Sequence, residues 1–187
     1  MSTTTIPAPP NIFVLINQTN NTRPSAATTQ APQRLALSVA ATTSRTRALR
    51  RGTGPLFPRL RGGWSGDSIT LPGMLDLETS LNGHQCHGLS TSAMVSWIRD
   101  FVNTYKNKTG RYPMIYTSPS WWQSCTGDSR VFASTCSLVM TRWAKSPGTA
   151  PGGLTHTIWQ HTDEYEFGGN GDLFNGNEEG LRKLATG

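Results

Sequence analysis

The clearest periodic stretch runs from Ser90 to Gly110. Met94, Ile98, Phe101 and Tyr105 recur at i, i+4, i+7 and i+11, and Val95 and Val102 widen the stripe. That spacing places them on one face of a helix. Ser90 is its expected N-cap and Gly110 its stop. The stripe reads as core. Ahead of this helix, Leu71-Pro-Gly-Met-Leu-Asp-Leu-Glu78 reads as a short apolar strand entered through Pro-Gly and ending in two acids. Further on, Tyr112–Thr117 predicts a second strand. Ser118-Pro119 is an N-cap followed by proline at the first helical position, opening a short helix through Trp121 and Trp122. Leu138–Met140, running on to Trp143, predicts a third strand, and Thr155–Gln160 a fourth. Asn177–Ala185 predicts a last helix, with Glu178 and Glu179 in its first turn and Arg182 and Lys183 in its last, as the helix dipole favours. Strand, helix, strand, short helix, strand, strand, helix is an α/β order and implies a parallel sheet.

The amino-terminal third has a different texture. Residues 1–61 are rich in Thr, Ala, Pro, Ser and Arg, with no sustained period between Thr19 and Thr46. Only Ile12–Ile16 resembles a strand there. This five-residue apolar run is too short for a signal peptide or a membrane span. The net charge of +6 on 187 residues is unevenly placed. Residues 1–66 carry eight arginines, no lysine and no acid, a local +8, whereas residues 67–187 carry nine basic and eleven acidic residues, a local −2. Arg45–Arg51 is a basic cluster, but it lacks the interleaved aromatics of a nucleic-acid stacking surface, so no nucleic-acid partner is expected. Two readings of residues 1–61 remain: a disordered basic tail, or a GC-rich coding region translated out of frame. The folded unit is placed at 62–187.

Candidate chemistry centres on Asp76 and Glu78. Alternate residues of a strand share a face, so their Cα atoms lie roughly 6.6 Å apart on one side of the sheet. Two acids at the carboxyl end of a buried strand stand where α/β sheets present their chemistry. Paired acids also titrate apart, so one can hold a proton while the other is ionised. Alone, Asp-x-Glu is a common pattern and reads as an exposed strand end. The other predicted strand ends change that reading, because they carry Tyr116, Trp143 and Trp159. Aromatic faces stack on sugar rings while carboxylates do acid–base work. For Trp97 and Trp122 ordinary packing is expected. The three cysteines are Cys86, Cys125 and Cys136. Cys125 and Cys136 bracket a polar loop containing Gly127 and are expected to form a disulfide, with Cys86 unpaired. No C-x-x-C pair occurs, and His84 and His87 read as surface-loop histidines, so no metal or other cofactor is expected.

Seven segments in order carry a family resemblance: Gly62–Asp67, Pro72–Glu78, Gly88–Ile98, Arg111–Thr117, Ala133–Val139, Ile158–His161 and Asp172–Gly176. Over residues 62–187 the chain resembles the carboxyl-terminal portion of the fungal, Chalaropsis-type muramidases of glycoside hydrolase family 25. The resemblance implies a secreted lysozyme cutting the β-1,4 bond between N-acetylmuramic acid and N-acetylglucosamine in bacterial peptidoglycan with retention of configuration; a monomer without membrane attachment is expected. It implies a modified (β/α) barrel. Glu78 falls on the family's general acid and Asp76 on its partner carboxylate. Tyr116 and Trp159 fall on aromatic positions lining the groove. The family's last-strand acid falls on Asn170, with Asp172 two residues later. Nothing in residues 1–61 matches the family's opening strand, which bears a further Asp, or its next two βα units. A full barrel takes about 250 residues and at least about 200, against 117 from Leu71 onward. The expected architecture is therefore an incomplete barrel with impaired activity, or a non-catalytic peptidoglycan- or chitin-binding remnant.

Overall fold

The computed structural model describes residues 38–39, 42–43, 66, 70–79, 85–165 and 169–186. Expectations for Ile12–Ile16, Arg45–Arg51 and His84 lie outside those residues, as does most of Gly62–Asp67. The elements are β1 (Ser38–Val39), β2 (Thr42–Thr43), β3 (Thr70–Leu71), β4 (Met74–Leu77), α1 (Thr91–Thr109), β5 (Met114–Thr117), α2 (Pro119–Thr126), β6 (Leu138–Thr141), β7 (His156–Thr162), β8 (Gly171–Phe174) and α3 (Glu178–Thr186). A six-stranded sheet runs β2-β4-β5-β6-β7-β8, and β1 and β3 form a separate parallel pair. The chain is an α/β protein.

The helices follow their local signals. The Ser90 hydroxyl accepts from the Ala93 N–H, and Gly110 closes α1 in the left-handed conformation at φ 79°. Ser118 caps α2 by accepting from the Trp121 N–H, with Pro119 at the first position. The predicted stripe of α1 is buried: Met94, Ile98, Phe101, Val102 and Tyr105. These pack with α2 and with Leu75, Leu77, Ile115, Leu138 and Met140 from one sheet face. The opposite face contributes Met74, Met114, Tyr116, Val139 and Ile158, closed off by Leu181, Leu184 and Ala185 of α3. Strand alternation sorts the two sets. Trp122 is fully buried and edge-on to Phe132, and Trp97 packs beside Phe101, so both serve the core.

Tyr105 ties α1 to the entry of β4. Its hydroxyl accepts from the Gly73 N–H at 2.6 Å in a buried setting. A Cβ on residue 73 would lie 2.8 Å from the same ring and hydroxyl, so glycine is required by close approach.

Three expectations change. The sheet is not wholly parallel: β8, which the residue pattern did not single out, pairs antiparallel with β7, with Gln160 opposite Asp172. Its four residues, Gly-Asp-Leu-Phe, are too few to show a period. The strands β1 and β2 are shorter still, at two residues each, and β2 pairs parallel with β4, Thr42 opposite Met74 and Thr43 opposite Leu75. The disulfide joins Cys86 to Cys125, not Cys125 to Cys136, and Cys136 is a buried free thiol. Cys125 ends α2 and faces the loop after β4, whereas Cys136 turns into the core on entry to β6. Burial pushes the Cys136 thiol up to about 11, which keeps it protonated and unreactive.

Candidate active site

The carboxyl ends of β4, β5 and β6 converge on a groove. Asp76 sits inside β4, half-buried, opposite Tyr116 of β5. Glu78 lies one residue past β4 and is exposed. The groove, about 400 Å³ in volume, is lined on one side by Glu78, Thr79 and Gln85 and on the other by Thr141, Arg142 and Trp143, with Tyr116 between. Trp143 stands 59% exposed on its rim.

The loop 85–88 fixes the backbone behind Glu78. The His87 Nε2–H donates to the Glu78 carbonyl at 3.1 Å, and the Trp121 indole N–H donates to the Gln85 carbonyl at 2.7 Å. The Cys86–Cys125 disulfide anchors the same loop to α2.

Behind the groove lies a buried polar group that sequence reasoning only half anticipated. The Tyr116 hydroxyl donates to Gln160 Oε1 at 3.0 Å, and the Thr141 hydroxyl donates to the same oxygen at 3.2 Å. Burial pushes the Tyr116 hydroxyl up to about 12. A hydrogen bond with Thr141 opposes the shift, and negative charge on Glu78, Asp76 and Asp172 adds to it. Tyr116 therefore stays a neutral donor, surrounded by three carboxylates. Asp172 is only 3% exposed, and its Oδ1 has no hydrogen-bond partner among the described residues. Burial pushes its carboxyl up to about 7, against a lowering hydrogen bond from Gln160. Asn170 precedes β8 and is half-buried. Of the two last-strand candidates, Asp172 is the one beside Gln160.

Trp159 occupies a different place. It packs partly buried against the helix-side cluster, 5.5 Å from the His161 ring, and its indole N–H donates to the Arg142 carbonyl at 2.8 Å. It supports the Arg142–Trp143 turn from behind. Gln160, Thr141 and Arg142 were not picked out from the sequence. For Gln160 the available signal was a polar residue at the inward-facing end of an apolar strand. Among the described residues, no group of three His, Cys, Asp or Glu side chains could hold a metal ion, and no helix is long and apolar enough to cross a membrane.

Paired carboxylates at a strand end, a neutral buried tyrosine and an open groove edged by an exposed indole provide the chemistry that glycoside hydrolases use. The family model for glycosyl hydrolases family 25 matches residues 56–170, and the chain belongs to that family. It is 58% identical over 127 residues to an N,O-diacetylmuramidase of Arthroderma benhamiae, covering 67% of this chain and 54% of that protein. It is 56% identical over 128 residues to an N,O-diacetylmuramidase of Chalaropsis sp., covering 67% and 61%. Among solved structures, the muramidase from Trichobolus zukalii superposes with a TM-score of 0.64 at 56% identity, covering 66% of this chain and 60% of that one. The family GH25 lysozyme from Aspergillus fumigatus gives 0.65 at 53%, covering 67% and 61%. The chain thus spans between about half and three fifths of these relatives.

Proposed function

We propose that this chain carries the acid-bearing half of a muramidase site, acting on the β-1,4 bonds of bacterial peptidoglycan as an extracellular monomer built on part of a modified (β/α) barrel. The observation that carries this reading is that Glu78 and Tyr116, at the carboxyl ends of β4 and β5, line a groove open to solvent, with Asp76 half-buried on β4 opposite Tyr116. In the proposed reaction Glu78 donates a proton to the departing sugar oxygen. Asp76 stabilises positive charge at the reacting carbon, and the Tyr116 hydroxyl orients the ring. Trp143 offers a stacking face at the rim, and Trp159 holds the turn that presents it. Asp172 and Asn170 border the inner end, where Asp172 and Gln160 keep the tyrosine positioned. No metal, cofactor, nucleic acid or membrane enters this scheme.

A second reading, a peptidoglycan- or chitin-binding remnant without catalysis, is supported by the large indole face that Trp143 leaves exposed on the groove rim. One experiment separates the two. Clearing of a bacterial cell-wall suspension by the full chain, lost in Glu78→Gln while wall binding persists, supports catalysis. Binding without clearing in the unsubstituted chain supports the remnant.

A further inference from the structure

We propose that Arg142 and Trp143 form a subsite reading a carboxylate on the muramic side of the glycan, so that the groove selects acidic peptidoglycan over neutral chitin; this rests on the muramidase reading. The two walls of the groove differ in charge. Glu78 stands past the end of β4 and Arg142 past the end of β6, with β5 between them. At about 4.8 Å per strand, that separates the two backbones by roughly 10 Å. From residue 129 to residue 162 there is no Asp or Glu, and Arg130, Arg142 and Lys145 are the only Arg or Lys. The β6 wall therefore presents Arg142 and no acid, while the β4 wall presents Glu78.

Arg142 is also held in place. One guanidinium N–H donates to the Ser146 carbonyl at 3.2 Å, and the Trp159 indole fixes the Arg142 carbonyl. Among the described residues the ion pair formed is Arg182 with Glu178, so no carboxylate neutralises Arg142. A guanidinium carries five N–H donors in a fork that fits a carboxylate. Trp143 next to it leaves a large apolar ring in water. An indole and a guanidinium on consecutive residues of one groove wall suit a sugar that bears an acid. A neutral N-acetylglucosamine chain would use the indole and leave the guanidinium without a carboxylate. In peptidoglycan the carboxylate comes from the lactyl group of a muramic residue or from the peptide stem attached to it.

The test measures binding of the full chain, in the Glu78→Gln background so that nothing is cut. Three soluble glycans of equal length are compared: muroglycan with stems, muroglycan stripped of stems to free the lactyl acid, and chitooligosaccharide. An acidic glycan is expected to bind about three- to fivefold more tightly than chitooligosaccharide at low ionic strength, the scale of an exposed ion pair, with the gap closing as salt is added. Arg142→Gln removes that preference by weakening the acidic glycans more than chitooligosaccharide, and Arg142→Lys retains part of it. Preference shown only with stems assigns the carboxylate to the peptide, and preference kept after stripping assigns it to the lactyl group. Preference surviving in Arg142→Gln, or equal affinity for all three glycans, overturns this inference alone. Failure to bind any of the three overturns it together with the muramidase reading.

Discussion

Breaking the Cys86–Cys125 link tests both the fold and the reassignment of the cysteines. The bridge spans 39 positions of sequence. In the chain-entropy model, a loop of that size removes about 13 cal/mol/K from the unfolded ensemble, or about 4 kcal/mol at 25 °C. Domains of this size hold about 5–15 kcal/mol in total, so the loss is a large fraction. The appropriate variant is Cys86→Ala with Cys125→Ala, because Cys125 is fully buried and serine would bury an unpaired hydroxyl. In urea, with a slope of about 2 kcal/mol/M, the midpoint should fall by about 2 M. The single variant Cys86→Ala adds a control. It leaves Cys125 and Cys136 in one core cluster, and a bridge between them would close eleven positions. That smaller loop would return about 3 kcal/mol and leave a deficit of only about 1. We expect the full deficit, since burial keeps the Cys136 thiol protonated. A midpoint shift below about 0.5 M in the double variant, or a disulfide-linked peptide containing Cys136 in the unsubstituted chain, would refute the reasoning.

Asp172 has a raised folded pKa, about 7 against an ordinary 3.8, so its contribution to stability is fully present below pH 3.8 and is lost as pH rises through 7. Asp172→Asn should therefore leave stability unchanged near pH 3.5 and raise it at pH 8, by at most about 4 kcal/mol; equal urea midpoints for the two proteins at pH 8 would contradict this. Tyr105→Phe strands the buried Gly73 N–H and should cost about 1–3 kcal/mol in urea unfolding, with a loss under about 0.5 kcal/mol counting against that bond. On aryl glycosides whose leaving group needs no proton, Glu78→Gln should recover activity in part and Asp76→Asn should not; equal recovery, or unaltered cell-wall lysis by Glu78→Gln, would remove the acid role from Glu78.

What the amino-acid sequence determined by itself was local. Ser90 and Gly110, Ser118 with Pro119, and the 3.6-residue stripe of α1 act within a turn or two of backbone, so their outcome is written in neighbouring residues. The Asp-x-Glu end of β4 was legible for the same reason, as was the burial of Trp122. Contacts between segments far apart in sequence needed the tertiary structure. Spacing suggested that Cys125 closes on Cys136, eleven residues on, yet it meets Cys86, 39 residues back, because the turn of α2 that carries it lies on the loop after β4. Trp159 lies within β7 as Tyr116 lies within β5. Its register opposite Met140 nevertheless turns it toward the helices, while Tyr116 opposite Asp76 and Val139 faces inward. Whether a strand aromatic faces the groove side or the helices is a matter of one-residue register, since side chains alternate across the sheet. Gln160 became part of the site only because β5, β6 and β8 bring Tyr116, Thr141 and Asp172 around it. No stretch of the sequence contains that group of four, which exists only once the strands are paired.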